Sequence, residues 1–101
     1  MNILTKIQHP DELSAFHGTE AVSLVSVEDL TGHGPDAHWL LTDNGQEVRA
    51  RCSLWWRHLA DIPGQRLGFI GHYAAGDAQS AETLLKHACS ALQENGCSLA
   101  V

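Results

Sequence analysis

Positive charge is scarce in this 101-residue chain: six Lys and Arg stand against twelve Asp and Glu, a formal net charge of −6. Binding to a nucleic-acid backbone draws its affinity from phosphate neutralisation, so the balance argues against a nonspecific nucleic-acid partner, while Arg49, Arg51, Arg57 and Arg66, clustered mid-chain, leave a local anion site open. Long hydrophobic runs are also lacking, and none approaches the roughly 20 apolar residues of a bilayer span. The opening segment MNILTKIQHPDEL carries no apolar signal-peptide core. The expectation is a cytoplasmic protein without a membrane partner. Cysteine is sparse and unpaired in pattern: Cys52, Cys89 and Cys97 form no CxxC spacing. An odd count without a leader reads as buried, reduced thiols rather than a disulfide framework.

What is present is ordinary globular composition, 44% hydrophobic and 18% charged. The length suits a single domain, residues 1–101, with one core. Asn2 to Gln8, with Ile3, Leu4 and Ile7, reads as a first strand. Pro10 followed by Asp11 and Glu12 is a helix start, since proline at the first helical position costs no hydrogen bond and acids favour the first turn. That helix runs to about Phe16 and stops at Gly18. Glu20 to Leu30 fits a strand and a helix about equally; its β-branched content favours a strand, and Glu28 and Asp29 do not decide. Thr31-Gly-His-Gly-Pro-Asp36 is a loop by composition.

Trp39, Leu40 and Leu41 lead through Asp43-Asn44-Gly45 into Val48 to Trp56. Asn-Gly between two extended runs predicts a tight hairpin, because both central residues of a type I′ turn need positive φ. Val48, Ala50, Cys52 and Leu54 alternate with Arg49, Arg51, Ser53 and Trp55, which predicts one core face and one arginine-bearing face. Pro63-Gly64 marks the next turn. Arg66 to Ala75 carries little charge and reads as a central strand, with Gly68 and Gly71 signalling a bulge or a close backbone approach. From Gln79 onward, Ala81, Leu84, Leu85, Ala88 and Leu92 define one apolar helical face. Asn95-Gly96 ends the helix, and Cys97 to Val101 begins another strand. The fold class is therefore α/β or α+β: a mixed, mostly antiparallel sheet with a hairpin, a central strand and a right-handed strand–helix–strand crossover.

The segments LLTDNGQEVRA, RLGFIGHYAAGD and AETLLKHACSALQENGC together resemble the GNAT superfamily of acetyl-CoA-dependent N-acetyltransferases. The likeness covers Trp39 to Val101 well and the first 38 residues loosely. The resemblance implies transfer of an acetyl group from acetyl-CoA to an amine. It places the pantetheine arm along the strand backbone at Tyr73, Ala74 and Ala75, and the pyrophosphate at the loop and first helical turn, with Gln79, Ser80 and Ala81 as the binding positions. The loop departs from the family pattern: Gly76 stands where Gln or Arg belongs, and Gln79 where the middle glycine belongs. The likeness spans the N-terminal two-thirds of such a domain, so a fragment, or an assembly completed by a second chain, is expected.

Two residues near the implied acyl position are candidates for acid–base chemistry. His72 has an unperturbed pKa near neutrality and would serve as a general base; Tyr73 is the one tyrosine. His33, Asp36 and His38 fall within six residues, a density that invites a metal reading. No second ligand pair stands nearby, so a solvent loop without metal is the expectation. Trp55 and Trp56 point to opposite faces, one toward a core and the other toward a pocket, an oligomer contact or a loop. The alternative to catalysis is a non-catalytic half-domain that pairs with a second copy or another partner through an open sheet edge.

Overall fold

The computed structural model describes residues 2–43, 46–57 and 63–100. The chain runs β1 (Asn2–Ile7), a 3-10 helix (Pro10–Ala15), α1 (Val27–His33), β2 (Ala37–Asp43), β3 (Val48–Trp55), β4 (Leu67–Ala75), α2 (Ala78–Glu94) and β5 (Leu99–Ala100). The strands lie in the order β1-β2-β3-β4-β5. The first four are antiparallel. β5 runs parallel to β4 through the pairs Leu67–Leu99 and Gly68–Ala100. The fold is mixed α+β; β4, expected to be central, lies beside the middle strand β3 and is paired on its other side only at Leu67 and Gly68.

Local chemistry accounts for most boundaries. Pro10 opens the 3-10 helix, and the Glu12 carboxylate accepts from the His9 N–H at 2.6 Å. The open segment 20–30 resolves into neither alternative throughout. Residues 20–26 form no ladder, and α1 starts where the Ser26 hydroxyl accepts from the Asp29 N–H at 3.0 Å. Such a cap contributes about 1 kcal/mol. The β-branched Val22 and Val25 are buried all the same, as anchors of irregular chain. Thr31, Gly32 and His33, expected in a loop, form the last turn of α1, which Gly34 closes in the left-handed conformation at φ 57°. The Asn44-Gly45 turn lies outside the described residues.

Both faces of the sheet are covered. On one, Ala37, Leu41, Ala50, Cys52 and Leu54 pack against Leu84, Ala88 and Leu92 of α2. On the other, Ile7, Leu40 and Val48 pack against Leu13, Val22, Val25 and Leu30. The expected set Val48, Ala50, Cys52 and Leu54 is fully buried but does not share one face. Leu41 pairs with Ala50 and Thr42 with Val48, so Arg49 is an extra residue in the ladder. A bulge of this kind reverses the alternation beyond it, which sends Val48 to the opposite core. The second face carries Arg51, as expected, but it is covered: Ser53 is 0% exposed there. Trp55 contacts Phe69 on that face, while Trp56 packs on the α2 side. The buried stripe of α2 is Ser80, Leu84, Ala88 and Leu92; Leu85, expected within it, is exposed.

A second bulge shapes β4. Ser53 pairs with Gly71 and Arg51 with Ala74, so Cys52 alone faces both His72 and Tyr73. Among the described residues His72 is the one non-glycine residue with positive φ, at 50°. The two glycines of β4 are indeed close approaches. A Cβ at Gly68 would lie 2.8 Å from Leu92 Cδ2, and one at Gly71 would lie 2.8 Å from Trp55 Cζ3.

Leu92 is buried and cannot swing aside, so Gly68→Ala should destabilise the fold by about 1–3 kcal/mol. Gly32→Ala, in α1 with nothing within 4 Å of the added methyl, should stabilise it by about 0.5–1 kcal/mol. Urea denaturation of the two variants should give midpoint shifts of opposite sign.

Candidate functional site: a histidine–serine chain beside an open strand

The β4 bulge reorients one side chain. In a regular strand His72 would point away from the face that carries Ser53, since Ser53 pairs with its neighbour Gly71. The extra residue and the positive φ turn its imidazole onto the Ser53 side. The displaced His72 carbonyl accepts from Arg51 Nη1, and Arg51 Nε donates to the Ser23 carbonyl. Arg51 thereby ties the bulge to the segment that precedes α1.

Four side chains from four elements then meet in a line. His33 Nδ1 of α1 lies 2.8 Å from His72 Nε2. His72 Nδ1 lies 2.8 Å from Ser53 Oγ of β3. Ser53 Oγ lies 2.7 Å from His38 Nδ1 of β2. The Trp55 indole N–H donates to the His33 carbonyl at 3.0 Å and its ring lies against His72. His33 is exposed, while His38 is 3% exposed. His38 Nε2 is buried and has no hydrogen-bond partner among the described residues.

The charged form is disfavoured at the two inner histidines. Burial, reinforced by His72 and Arg51, lowers the His38 pKa to about 4. Burial lowers that of His72 as well, with His33 and Arg51 adding to the effect and Asp29 opposing it. His72, the candidate base, has both ring nitrogens engaged, so a proton it accepts must be passed on along the line. His38 also borders a cleft of about 310 Å³ with Lys6, Gln8, Leu30, Asp36 and Arg57.

The positions implied for acetyl-CoA lie at the other end of the bulge. Tyr73 is 45% exposed, and Ala74 and Ala75 pair with Arg51 and Ala50. No strand pairs with Phe69–Ala75 on the side away from β3 among the described residues. At the start of α2, Gln79 and Ser80 border a polar cleft of about 280 Å³ with Asn2, Asp43, Arg49 and Asp77. Asp77 occupies the helix end itself. Its carboxylate accepts from the Ser80 N–H at 2.7 Å and the Ser80 hydroxyl at 2.9 Å, and its carbonyl accepts from the Ala81 N–H. The two bonds from Ser80 hold the Asp77 pKa below its ordinary value.

The remaining candidates disperse. Asp36 accepts the N–H groups of Trp56 and Arg57, at 2.7 and 3.0 Å, instead of converging with His33 and His38. His38 is not in a solvent loop but within β2. Cys52 and Cys97 are buried, and burial pushes the Cys52 thiol up to about 12; Cys89 is exposed. Ser53 carried no local signal in the sequence, because its partners come from three other elements and one of them is turned by a bulge. No protein-family model, no curated protein and no solved structure matches this chain.

The depressed His38 pKa has a signed consequence. The unfolded residue takes up its proton near pH 6.5 and the folded one near pH 4, so between them the unfolded state binds more protons. Stability should therefore fall as the pH drops through that window, by about 3 kcal/mol from His38. Urea midpoints against pH should show a shallower slope in His38→Gln than in the native chain; equal slopes would rule this contribution out.

Proposed function

We propose that this chain is a GNAT-like scaffold for acyl-CoA, serving transfer of an acetyl group from acetyl-CoA to an amine. The observation that carries the reading is the unpaired edge of β4 at its bulge, leading directly into the N-terminus of α2. The pantetheine arm bears two amides and can add to such an edge as a short strand does. A helix N-terminus beside Arg49 offers N–H groups and positive charge to a diphosphate. The element order supports the same reading: four antiparallel strands, a helix, and a short strand parallel to the fourth. Tyr73, Ala74 and Ala75 would line the arm, and Gln79, Ser80 and Ala81 the diphosphate once Asp77 turns aside. The reaction itself needs a base for the amine, a donor for the thioester oxygen and an acid for the departing thiolate. His72 would supply the first through its neighbours and Tyr73 is the candidate acid.

The Asp77 cap favours a second reading, in which the β4 edge pairs with a strand of a second copy or another protein and no nucleotide is bound. Phe69 and Tyr73, exposed along that strand, would then be contact residues.

A ligand at about ten times its Kd adds roughly 1.4 kcal/mol, or about 5–10 °C for a domain this small. Acetyl-CoA should raise the melting temperature, and Asp77→Gly should strengthen binding several-fold while costing only a few tenths of a kcal/mol in capping. Absence of any shift in both proteins would sink the acyl-CoA reading. Under the pairing reading, sedimentation should show a concentration-dependent dimer that Phe69→Lys reduces to monomer.

A further inference from the structure

Two histidine ring nitrogens stand 2.8 Å apart, His33 Nδ1 on α1 and His72 Nε2 on β4. The contact ties a short helix to the sheet. α1 has seven residues and buries Leu30 alone. A helix of that length is marginal without tertiary support. Its last turn reaches the sheet at His33, whose ring meets His72 and whose carbonyl accepts the Trp55 indole N–H at 3.0 Å. The two imidazole rings lie 5.0 Å apart between centroids, and the Trp55 ring lies 5.4 Å from that of His72.

A ring nitrogen either carries a proton and donates or lacks one and accepts. The contact therefore holds one proton between its two nitrogens. With both rings neutral, one donates and the other accepts. With one ring charged, the charged ring donates to the neutral one, and the bond is stronger. With both charged, two N–H groups face each other and neither accepts, so the contact must open. The bond on the far side of His72 survives this change. In each charged state His72 Nδ1 donates to Ser53 Oγ, and that oxygen, with two lone pairs, can accept from His38 as well. The break therefore falls on the α1 side.

We propose that His33 and His72 form an acid-released latch, which holds α1 on β4 through the uptake of one proton and lets it go on the uptake of a second. Opening parts the two rings and withdraws the His33 carbonyl from Trp55. The ladders of β1 to β4 are backbone bonds and need neither imidazole. The charged and titratable groups facing the pair are Arg51 from β3, Asp29 from α1 and His38 from β2, whose ring lies 6.4 Å from that of His72. Burial, with His33 and Arg51 adding to it and Asp29 opposing, lowers the pKa of His72. Release therefore comes below the pH of about 6.5 at which a free histidine takes up its proton. The latch works with or without acyl-CoA.

Backbone NMR of the full chain, taken from neutral pH into the acid range, tests the latch. The 13Cα shifts of Val27–His33 report α1, and those of Ala37–Asp43 and Val48–Trp55 report the sheet. In the native chain the α1 shifts should move toward coil values at a higher pH than the sheet shifts. His33→Gln keeps a side chain whose amide oxygen accepts from charged His72 and which itself takes no proton. In that variant α1 should stay helical until the sheet unfolds. Glu28 and Asp29, in the first turn of α1, titrate in both proteins, so the difference between the two curves belongs to the latch. The latch is overturned if native α1 and the sheet lose structure at the same pH, or if His33→Gln releases α1 at the native pH. Should His33→Gln not fold, the order of the two events in the native chain decides alone.

Discussion

The arrangement of this protein depends on the bulge in β4 at His72 and Tyr73. An extra residue in one strand leaves a carbonyl outside the ladder, and a carbonyl half inside a core needs a donor. Arg51 meets that need from the neighbouring strand. The same guanidinium reaches the Ser23 carbonyl, so the covering segment before α1 and the irregular strand are held by one side chain. Without the bulge, His72 would lie on the α2 side, away from Ser53. With it, the imidazole meets Ser53 and His33. A backbone irregularity and a polar line are therefore one feature, because the polar line satisfies the groups that the irregularity turns inward.

Burial of the sheet on both faces explains why that line is ordered. A solvated sheet face would leave Ser53 and His38 to water, with many interchangeable partners. Here both are almost fully enclosed, so every donor needs a particular acceptor. Burial, with the positive charge of Arg51 adding to it, disfavours imidazolium at His38 and His72. His38 and His72 meet at Ser53 through hydrogen bonds at their Nδ1 atoms, with no ion pair between them.

Sequence reading recovered the features that are written locally. Pro10 with its acids, the alternation from Ala50 to Leu54, the stripe Leu84-Ala88-Leu92 and the Asn95-Gly96 stop each express a rule acting over a few residues. The close approaches at Gly68 and Gly71 were legible too, since a glycine in an apolar strand asks what takes the missing side chain's place. What failed to show was non-local. The side on which Val48 lies depends on the extra residue Arg49, which exists only relative to β2. Segment 20–30 was ambiguous because Val22 and Val25 are buried by tertiary contact in irregular chain, where neither period applies. The histidine line joins positions 33, 38, 53 and 72, none in ligand spacing, and its assembly requires a bulge that no single residue announces. His72 was legible as a candidate, but its dependence on Ser53 was not.

The Asp77 cap sets a condition on any anion that meets the start of α2. Its carboxylate is covalently tethered beside the helix end, which makes it a competitor at an effective concentration on the order of millimolar or higher. A free monovalent anion at ordinary concentration cannot displace it to advantage. An anion anchored elsewhere on the same molecule can, because it too arrives tethered. The Asp77 cap therefore disfavours loose ions at the start of α2 and would yield only to an anion that is itself tethered nearby.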